Sequence, residues 1–427
     1  MALGLYISVP FCRTKCTYCN FASGVFSRWL FTRYIDRVCR DIADASHLAP
    51  ALGGRFDRAV DSIYLGGGTP SLLDVAQLER LFVTIQQNFH CDPAAEVTVE
   101  CAPGTLSGDF IDALCRCGVN RVSLGVQSFV DREAAAIGRL HTQATVFKDI
   151  ERLRSAGLTN INVDLIAGLP HQSSESWAYS LQQAIATGAP HVSVYMLEVD
   201  EDSRLGRELI AGGTKYLAHH VPDQDAIADF YLAACEALNA AGLGQYEISN
   251  FARSGFESRH NLKYWTRQPY LGFGVDAHSM LYADAVSQRA DSGANREDRT
   301  TAVRFSTPES LEDFTAGAPP SRIPVSYRAS LEETLFLGLR LNRGVDLGVI
   351  EQGSALQADY GSLFAECADA GLLERHGTSI RLTQLGRLLS NEVFERVLSR
   401  DHVPVAPDAT AHDDGAHDRA PSLHASR

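Results

Sequence analysis

The feature that most constrains the fold is a regular alternation of short apolar runs and amphipathic segments between Leu5 and Gly244. The predicted strands are 5–9, 62–66, 96–100, 121–126, 161–166 and 191–197. Four intervening segments show helical periodicity and end near a glycine that can act as a C-cap, namely 75–89, 108–118, 144–157 and 176–188. Repeated βα units predict a parallel sheet with right-handed crossovers. The fold class is therefore α/β, as a doubly wound sheet or as a complete or partial (β/α) barrel.

In either architecture, ligands bind where the parallel strands end, because loops there vary without disturbing the core. The most conspicuous polar and glycine residues occupy those positions. Cys12 follows the first strand, 66–69 follow the second, Glu100 ends the third, Gln127 follows the fourth and Asp164 lies in the fifth. The sequence thus predicts one site at this end of the sheet.

The sequence pattern changes after Gly244. We predict a core domain at 1–244, a connecting segment at 245–325 and a smaller C-terminal domain at 326–400. Residues 283–325 are polar with few apolar anchors and predict an irregular connection. Helical periodicity returns at 330–341 and 355–374, which favours a partly helical, winged-helix-like α+β domain. The tail, 401–427, is rich in Asp, Ala, Pro and His and is predicted to be disordered.

Charge and composition exclude several classes of protein. The net charge of −14 argues against a nucleic-acid binder that uses a broad basic surface. No apolar run is long enough to span a bilayer, and the N-terminus lacks the features of a signal peptide. We therefore expect a cytoplasmic protein. Its ten cysteines then serve metal binding, chemistry or packing rather than disulfides.

Three of the cysteines are clustered directly after the first strand, with the spacing Cys12-x3-Cys16-x2-Cys19. A structural zinc site normally has a fourth Cys or His ligand, and none follows at zinc-finger spacing. A [4Fe–4S] cluster has four irons, so three thiolates leave one iron open to another ligand. The cluster of cysteines favours an iron–sulfur site.

Around these cysteines the segment YISVPFCRTKCTYCNF resembles the radical S-adenosylmethionine (SAM) superfamily, in its coproporphyrinogen-oxidase-like branch. The resemblance covers about residues 5–400 in matching order. It continues through GGGTPS (66–71), VECAPG (99–104), RVSLGVQSF (121–129), GRLH (138–141), NVDLIAGLPHQ (162–172), HNLKYW (260–265) and LFLGLRL (335–341).

This resemblance implies a partial (β/α)6 barrel in which Cys12, Cys16 and Cys19 hold a [4Fe–4S] cluster. SAM would chelate the open iron, and an electron donor would reduce the cluster so that SAM is cleaved to methionine and a 5′-deoxyadenosyl radical. The residues matching family positions for SAM, or for a second SAM-like ligand, are Tyr6, Gly67, Gly68, Thr69, Glu100, Gln127, Arg139 and Asp164.

Two subgroups of the branch differ in their chemistry. The oxygen-independent coproporphyrinogen III oxidases of porphyrin biosynthesis typically carry a further cysteine where this chain has Phe21. The HemW-like heme chaperones carry Phe there, and their HNxxYW motif is matched by His260, Asn261, Tyr264 and Trp265. The resemblance therefore implies a chaperone that binds heme, with His260 in the heme site, and delivers it to acceptor proteins. Peripheral membrane association through an acceptor stays open.

Two alternatives remain. The first is an enzyme, either a coproporphyrinogen III oxidase (dehydrogenase) or another radical SAM enzyme. The second is a scaffold that binds zinc or a cluster without SAM chemistry. One residue departs from the family pattern, because Ser8 stands where the family usually has His. Since Ser carries no positive charge near pH 7, this position has lost any role that needs one.

The remaining cysteines and the histidine pairs are assigned no site. The seven scattered cysteines are predicted to be small core residues. They are Cys39, Cys91, Cys101, Cys115, Cys117, Cys235 and Cys367. No second feature supports a metal or heme site at His219–His220, and the tail histidines His402, His412, His417 and His424 are interpreted as part of a flexible acidic tail.

Overall fold

The structure, a computed structural model, describes residues 2–201, 203–284, 298–350 and 353–398. The predicted disordered tail and its four histidines lie outside these residues. No helix within the described ranges has the length and apolar character needed to cross a membrane.

The predicted α/β architecture is confirmed. Six parallel strands, β1–β6, lie side by side in chain order, and each is hydrogen-bonded to the next. The strands are β1 Leu3–Val9, β2 Ala59–Gly67, β3 His90–Cys101, β4 Arg121–Gln127, β5 Ile161–Ala167 and β6 His191–Met196. This is the strand set of a partial (β/α)6 barrel.

Helices connect these strands, and the four that the periodicity predicts begin and end within two residues of the predicted bounds. The helices of this part are α1 Arg28–Ala51, α2 Val75–Asn88, α3 Gly108–Arg116, α4 Asp131–Ala136, α5 Gln143–Ser155, α6 Ser174–Ala186, α7 Arg204–Ala211 and α8 Gln224–Ala240. Side chains just before several of these helices cap their N-termini. Asp74 caps α2 in a reciprocal capping box with Gln77, and Ser107 and Thr142 cap α3 and α5.

Alternate residues of the six strands face opposite ways, as strand geometry requires. In β3, Val97 and Val99 belong to the large apolar core, whereas Glu96 and Glu100 make polar contacts on the other face. The inward face of the barrel is therefore polar, and its outward face packs against the helices.

Further strands extend the barrel sheet to twelve strands in the order β12-β11-β10-β9-β1-β2-β3-β4-β5-β6-β8-β7. They are β7 Gly244–Gln245, β8 Asn250–Ala252, β9 Tyr270–Phe273, β10 His278–Tyr282, β11 Thr300–Ser306 and β12 Ser321–Ser326. Two helices accompany them, α9 Arg259–Trp265 and α10 Leu311–Ala316.

The irregular connection predicted at 283–325 is therefore wrong for its described part, which contains β11, α10 and most of β12. These strands carry few apolar residues, and among mostly polar neighbours only Ala302, Val303, Phe305 and Val325 are buried. Their pairing, β10 with β11 and β11 with β12, fixes the strand state through contacts that local sequence does not specify.

The C-terminal residues form a second apolar core with a three-stranded sheet in the order β13-β15-β14. Its elements are α11 Tyr327–Leu339, β13 Val345–Asp346, α12 Gly353–Asp369, β14 Leu373–His376, β15 Ser379–Leu382, α13 Gln384–Leu388 and α14 Ser390–Leu398. The mixture of helices and a small antiparallel sheet agrees with the predicted partly helical α+β unit. Ile248 of the β7–β8 turn joins this core, so the two parts pack directly against each other.

Five of the seven scattered cysteines are buried, as expected of packing residues. Cys91 is partly buried, and Cys115 is exposed on α3, so the prediction of a core position is wrong for Cys115. Its neighbour Cys117 takes the buried position instead, because residues two apart on a helix point in different directions.

Candidate functional site

The loop after β1 brings the three clustered cysteines to the wall of one cavity. The loop is closed by backbone hydrogen bonds, from Cys12 N to Gly24 O at 2.8 Å and from Gly24 N to Pro10 O at 2.9 Å. The thiols are partly buried, and hydroxyl groups lie near two of them. Thr69 Oγ1 lies 3.8 Å from Cys12 Sγ, and Ser23 Oγ lies 3.8 Å from Cys19 Sγ.

Glycines at the end of β2 let this strand approach the cysteine loop. Gly68 N donates to Val9 O at 2.8 Å. A Cβ at Gly68 would come within 2.7 Å of Val9 O and 2.9 Å of Phe11 O, so no side chain fits there. Gly67 has φ +101°, a conformation that favours glycine. Both glycines line the cavity together with Thr69.

Four further predicted residues line the same cavity, namely Glu100, Gln127, Arg139 and Asp164. Two of them leave a buried atom without a hydrogen-bond partner, Gln127 Oε1 and Arg139 Nε. Gln127 also has φ +68°, a backbone conformation that is unusual for a residue other than glycine. Arg139 Nη2 donates to Tyr18 Oη at 3.2 Å, which places Tyr18 at the wall beside the cysteines.

The two carboxyl groups in the cavity are held by neutral donors. Tyr64 Oη donates to Glu100 Oε1 at 2.7 Å, while Ser123 and Asn162 donate to the two oxygens of Asp164 at 3.0 and 2.7 Å. Burial raises the pKa of Glu100 to about 7, although the hydrogen bond from Tyr64 opposes the rise. Burial likewise raises the pKa of Asp164.

The motifs did not identify several other residues of this wall, which are Tyr64, Arg121, Asn162, Ser193 and Tyr195. Each occupies an inward position, two or four residues from another inward residue of its strand. The polar–apolar alternation of segments such as RVSLG and HVSVY could have identified them, because a polar face on a buried parallel strand needs an interior to face.

The wall fits an iron–sulfur cluster and a polar ligand. Soft thiolates are the ligands that iron–sulfur clusters take. The unpartnered atoms of Gln127 and Arg139 point to a polar ligand. The cavity has a volume of about 190 Å³ and opens to solvent. Among the residues that the structure describes, no group of three or more His, Cys, Asp or Glu side chains is close enough together to hold a single metal ion.

A second cavity, of about 410 Å³, lies between the barrel and the C-terminal elements. Tyr6 lines this cavity rather than the first one, in contrast to the other predicted SAM residues. Tyr6 stacks on Tyr64, with ring centroids 6.2 Å apart. The two cavities adjoin, because both are lined by the same four residues, which are Phe21, Tyr64, Tyr195 and Asn261.

His260 of α9 lines the second cavity, but both of its ring nitrogens are engaged. Nδ1 lies 3.0 Å from Ser62 Oγ, and Nε2 lies 2.9 Å from Tyr264 Oη. The ring is buried, and burial lowers its pKa to about 3. A ligand of heme iron needs a free nitrogen, and in this geometry neither nitrogen of His260 is free.

The rest of the HNxxYW motif fixes α9 between the barrel and the C-terminal part. Glu96 accepts hydrogen bonds from the backbone N–H groups of Arg259 and His260, both at 3.0 Å. Lys263 Nζ pairs with Asp61 at 2.7 Å. The guanidinium of Arg340, from the C-terminal part, lies 4.3 Å from the Trp265 ring centroid. The motif is thus built into the junction that forms the floor of the second cavity.

Two smaller predictions can also be located. Ser8 is buried, and its carbonyl accepts from Tyr34 Oη at 2.7 Å, so this position serves the packing of β1 against α1. His219 and His220 are joined by His171, whose ring centroid lies 4.0 Å from that of His220. The sequence pattern did not indicate that His171 lies beside this histidine pair.

Comparison with known proteins matches the chain to two family models. The Radical SAM superfamily matches residues 6–184, and the HemN C-terminal domain matches residues 325–389. The heme chaperone HemW of Lactococcus lactis is 31% identical over 93% of this chain and 97% of its own length. That of Bacillus subtilis is 34% identical over 91% and 97%. Among solved structures, the coproporphyrinogen III oxidase HemN of Escherichia coli, a radical SAM enzyme, is similar with TM-score 0.75 and 25% identity over 93% of this chain and 90% of its own.

Proposed function

Because the chain belongs to the HemW family of radical SAM proteins, we propose that it is a heme chaperone that binds a [4Fe–4S] cluster, SAM and heme and delivers heme to acceptor proteins. The observation that carries this proposal is the pair of adjoining cavities, one walled by three cysteines and the other walled by aromatic side chains. The first accounts for the cofactors, and the second, about 410 Å³ in volume, offers aromatic side chains to a macrocyclic cargo.

Cys12, Cys16 and Cys19 would hold the cluster in the first cavity. When bound, the cluster supplies an open iron and, after reduction by an electron donor, one electron to SAM. The chain's own residues bind and orient SAM: Gln127 and Arg139 offer unpartnered polar atoms, and Asp164 and Glu100 offer carboxyl groups held by neutral donors. Thr69 lies against Cys12, and Tyr18 shields the wall beside Arg139.

Heme would bind in the second cavity as the cargo. Tyr6, Tyr64, Tyr264 and Trp265 provide aromatic faces there, on which a flat macrocycle can pack. Phe21 lies at the boundary of both cavities, and it provides no thiol at the position where the oxidase subgroup typically has one. This supports cargo binding over oxidation of a porphyrinogen. His260 would then shape the floor of the heme site without ligating iron.

The test uses the full chain, reconstituted anaerobically with iron and sulfide. Hemin is titrated by absorbance, and separately coproporphyrinogen III is incubated with SAM and a reductant. We expect hemin to bind at about one equivalent and no protoporphyrinogen to form. Formation of protoporphyrinogen would identify an oxidase of porphyrin biosynthesis instead. Fractionation of the cells that produce the protein checks the proposed cytoplasmic location, including any acceptor-dependent association with membranes.

A further inference from the structure

Arg121 is a buried cation on the inward face of the barrel. It is the first residue of β4, its side chain is 2% exposed, and it lines the first cavity. Its Nε has no hydrogen-bond partner, and within the described ranges no ion pair joins its guanidinium to a carboxylate. A buried charge without partners costs free energy, so its presence needs a reason.

Neutralisation of the nearby acidic residues is not a sufficient reason. The three carboxylates on the inward faces of β3 and β5 already have their own donors. Glu96 is held by the backbone of α9, Glu100 by Tyr64 and Asp164 by Ser123 and Asn162. The charge of Arg121 acts on Asp164 from beyond ion-pair distance, which leaves its guanidinium available to another anion.

The position of Arg121 separates it from the cluster and places it near the second cavity. Gln127 lies six residues further along the same strand, which corresponds to about 20 Å at 3.3 Å per residue. In the register of the sheet, Tyr64 pairs with Thr98 and Thr98 pairs with Arg121, so Arg121 lies level with Tyr64, two strands away, and Tyr64 lines the second cavity. Tyr64 and Asn261, which line both cavities, mark the passage between the cargo cavity and Arg121.

We propose that Arg121 is a carboxylate-binding subsite that holds a propionate side chain of the tetrapyrrole, which reaches it from the second cavity past Tyr64 and Asn261. This rests on the proposed function, because it takes the cargo to be heme. A guanidinium binds a carboxylate through two parallel N–H donors, which gives orientation as well as affinity. The subsite therefore fixes the direction in which the macrocycle lies in the second cavity.

The test compares hemin with hemin dimethyl ester, which has the same macrocycle but no free carboxylate. In the full chain, Arg121→Met should weaken hemin binding about 10- to 100-fold and leave binding of the ester unchanged. Arg121→Lys, which keeps the charge without the planar fork, should give an intermediate loss. Because Arg121→Met removes an unpaired charge, its unfolding temperature should equal or exceed that of the wild type.

Arg304→Met is the matched control. Its Nε is also buried without a partner, but Arg304 pairs with Glu333 at 3.1 Å and lines neither cavity. It should bind hemin and the ester as the wild type does.

Equal hemin affinity of the wild type and Arg121→Met would overturn the subsite while the proposed function stands. The same holds if the variant loses hemin and ester equally, or if it loses SAM affinity in equilibrium dialysis while hemin binding is kept. A wild-type chain that binds neither hemin nor the ester would instead overturn the proposed function, and the subsite with it. If Arg121→Met does not fold, the ratio of hemin to ester affinity in Arg121→Lys gives the same decision.

Discussion

The wall of the first cavity and helix α9 both carry conspicuous sequence motifs. They differ in how far their polar side chains are paired with other residues of the protein. At the wall, Gln127, Arg139 and Arg121 each keep a buried atom without a partner. On α9, His260 uses both ring nitrogens and Lys263 is ion-paired, although the buried Nε1 of Trp265 has no hydrogen-bond partner. Buried polar groups are normally satisfied, so unsatisfied ones that face a cavity indicate a place for a ligand. A fully paired histidine indicates a structural role, however characteristic its motif is.

The largest expected effect is the loss of the cluster on Cys16→Ala. The reconstituted wild type should contain about four irons and four sulfides per chain, and the variant should contain almost none. Cys115→Ala is the matched control, because this cysteine is exposed on α3 and away from both cavities. Iron, sulfide and absorbance measurements check the result, and one equivalent of zinc in the wild type would contradict it.

The next effect concerns the close approach of β2 to the cysteine loop. Gly68→Ala places a Cβ against the backbone of Val9 and Phe11, and we expect the free energy of unfolding to fall by about 1–3 kcal/mol. Gly108→Ala is the control, because a Cβ there meets nothing within 4 Å at the start of α3. Urea denaturation measures both variants. If Gly68→Ala is as stable as the wild type, the cysteine loop can move away from the added Cβ without loss of stability, and the prediction is wrong.

His260→Phe tests whether the paired histidine of α9 has a structural role. The variant leaves Ser62 Oγ and Tyr264 Oη without their partner, so the free energy of unfolding should fall by about 1–3 kcal/mol. Because the ring is engaged on both nitrogens, the Soret band of bound ferric heme should keep its position. A shifted Soret band together with unchanged stability would assign His260 to the iron and remove the distinction between the two regions.

The smallest effect is a pH dependence that Glu100 introduces. Burial raises the pKa of Glu100 to about 7, whereas a glutamate in an unfolded chain titrates near 4.3. Between these values the folded state keeps a proton that the unfolded state has lost, so this carboxyl lowers the free energy of unfolding as pH rises through the window. The stability of the wild type relative to Glu100→Gln should therefore fall from about pH 4.5 to pH 7 and level off above. A difference that is constant with pH would contradict the raised pKa.

The sequence predicted the barrel well because the apolar face of each strand and of each connecting helix repeats with a period that the local sequence sets. It predicted β11 and β12 poorly, since their residues become strands only by pairing with partners elsewhere in the chain. The site divides in the same way. Glu100 and Gln127 do line the cavity of the cysteines, because they stand at the ends of parallel strands that meet at a common edge. Arg139, from the loop between α4 and α5, and Asp164, from the middle of β5, line it as well. Tyr6 lies in β1, which pairs with β9 on its other side, and it lines the adjoining cavity instead.

The amino-acid sequence by itself determined the three-cysteine loop, the βα order and the family, because each is a matter of spacing along one chain. The tertiary structure alone decided which polar groups are satisfied. Ser62 and Tyr264 occupy the nitrogens of His260. No described residue occupies Nε of Arg121. The physical reason is that a hydrogen bond depends on distances of about 3 Å between atoms, and such distances between remote segments are set only when the barrel closes.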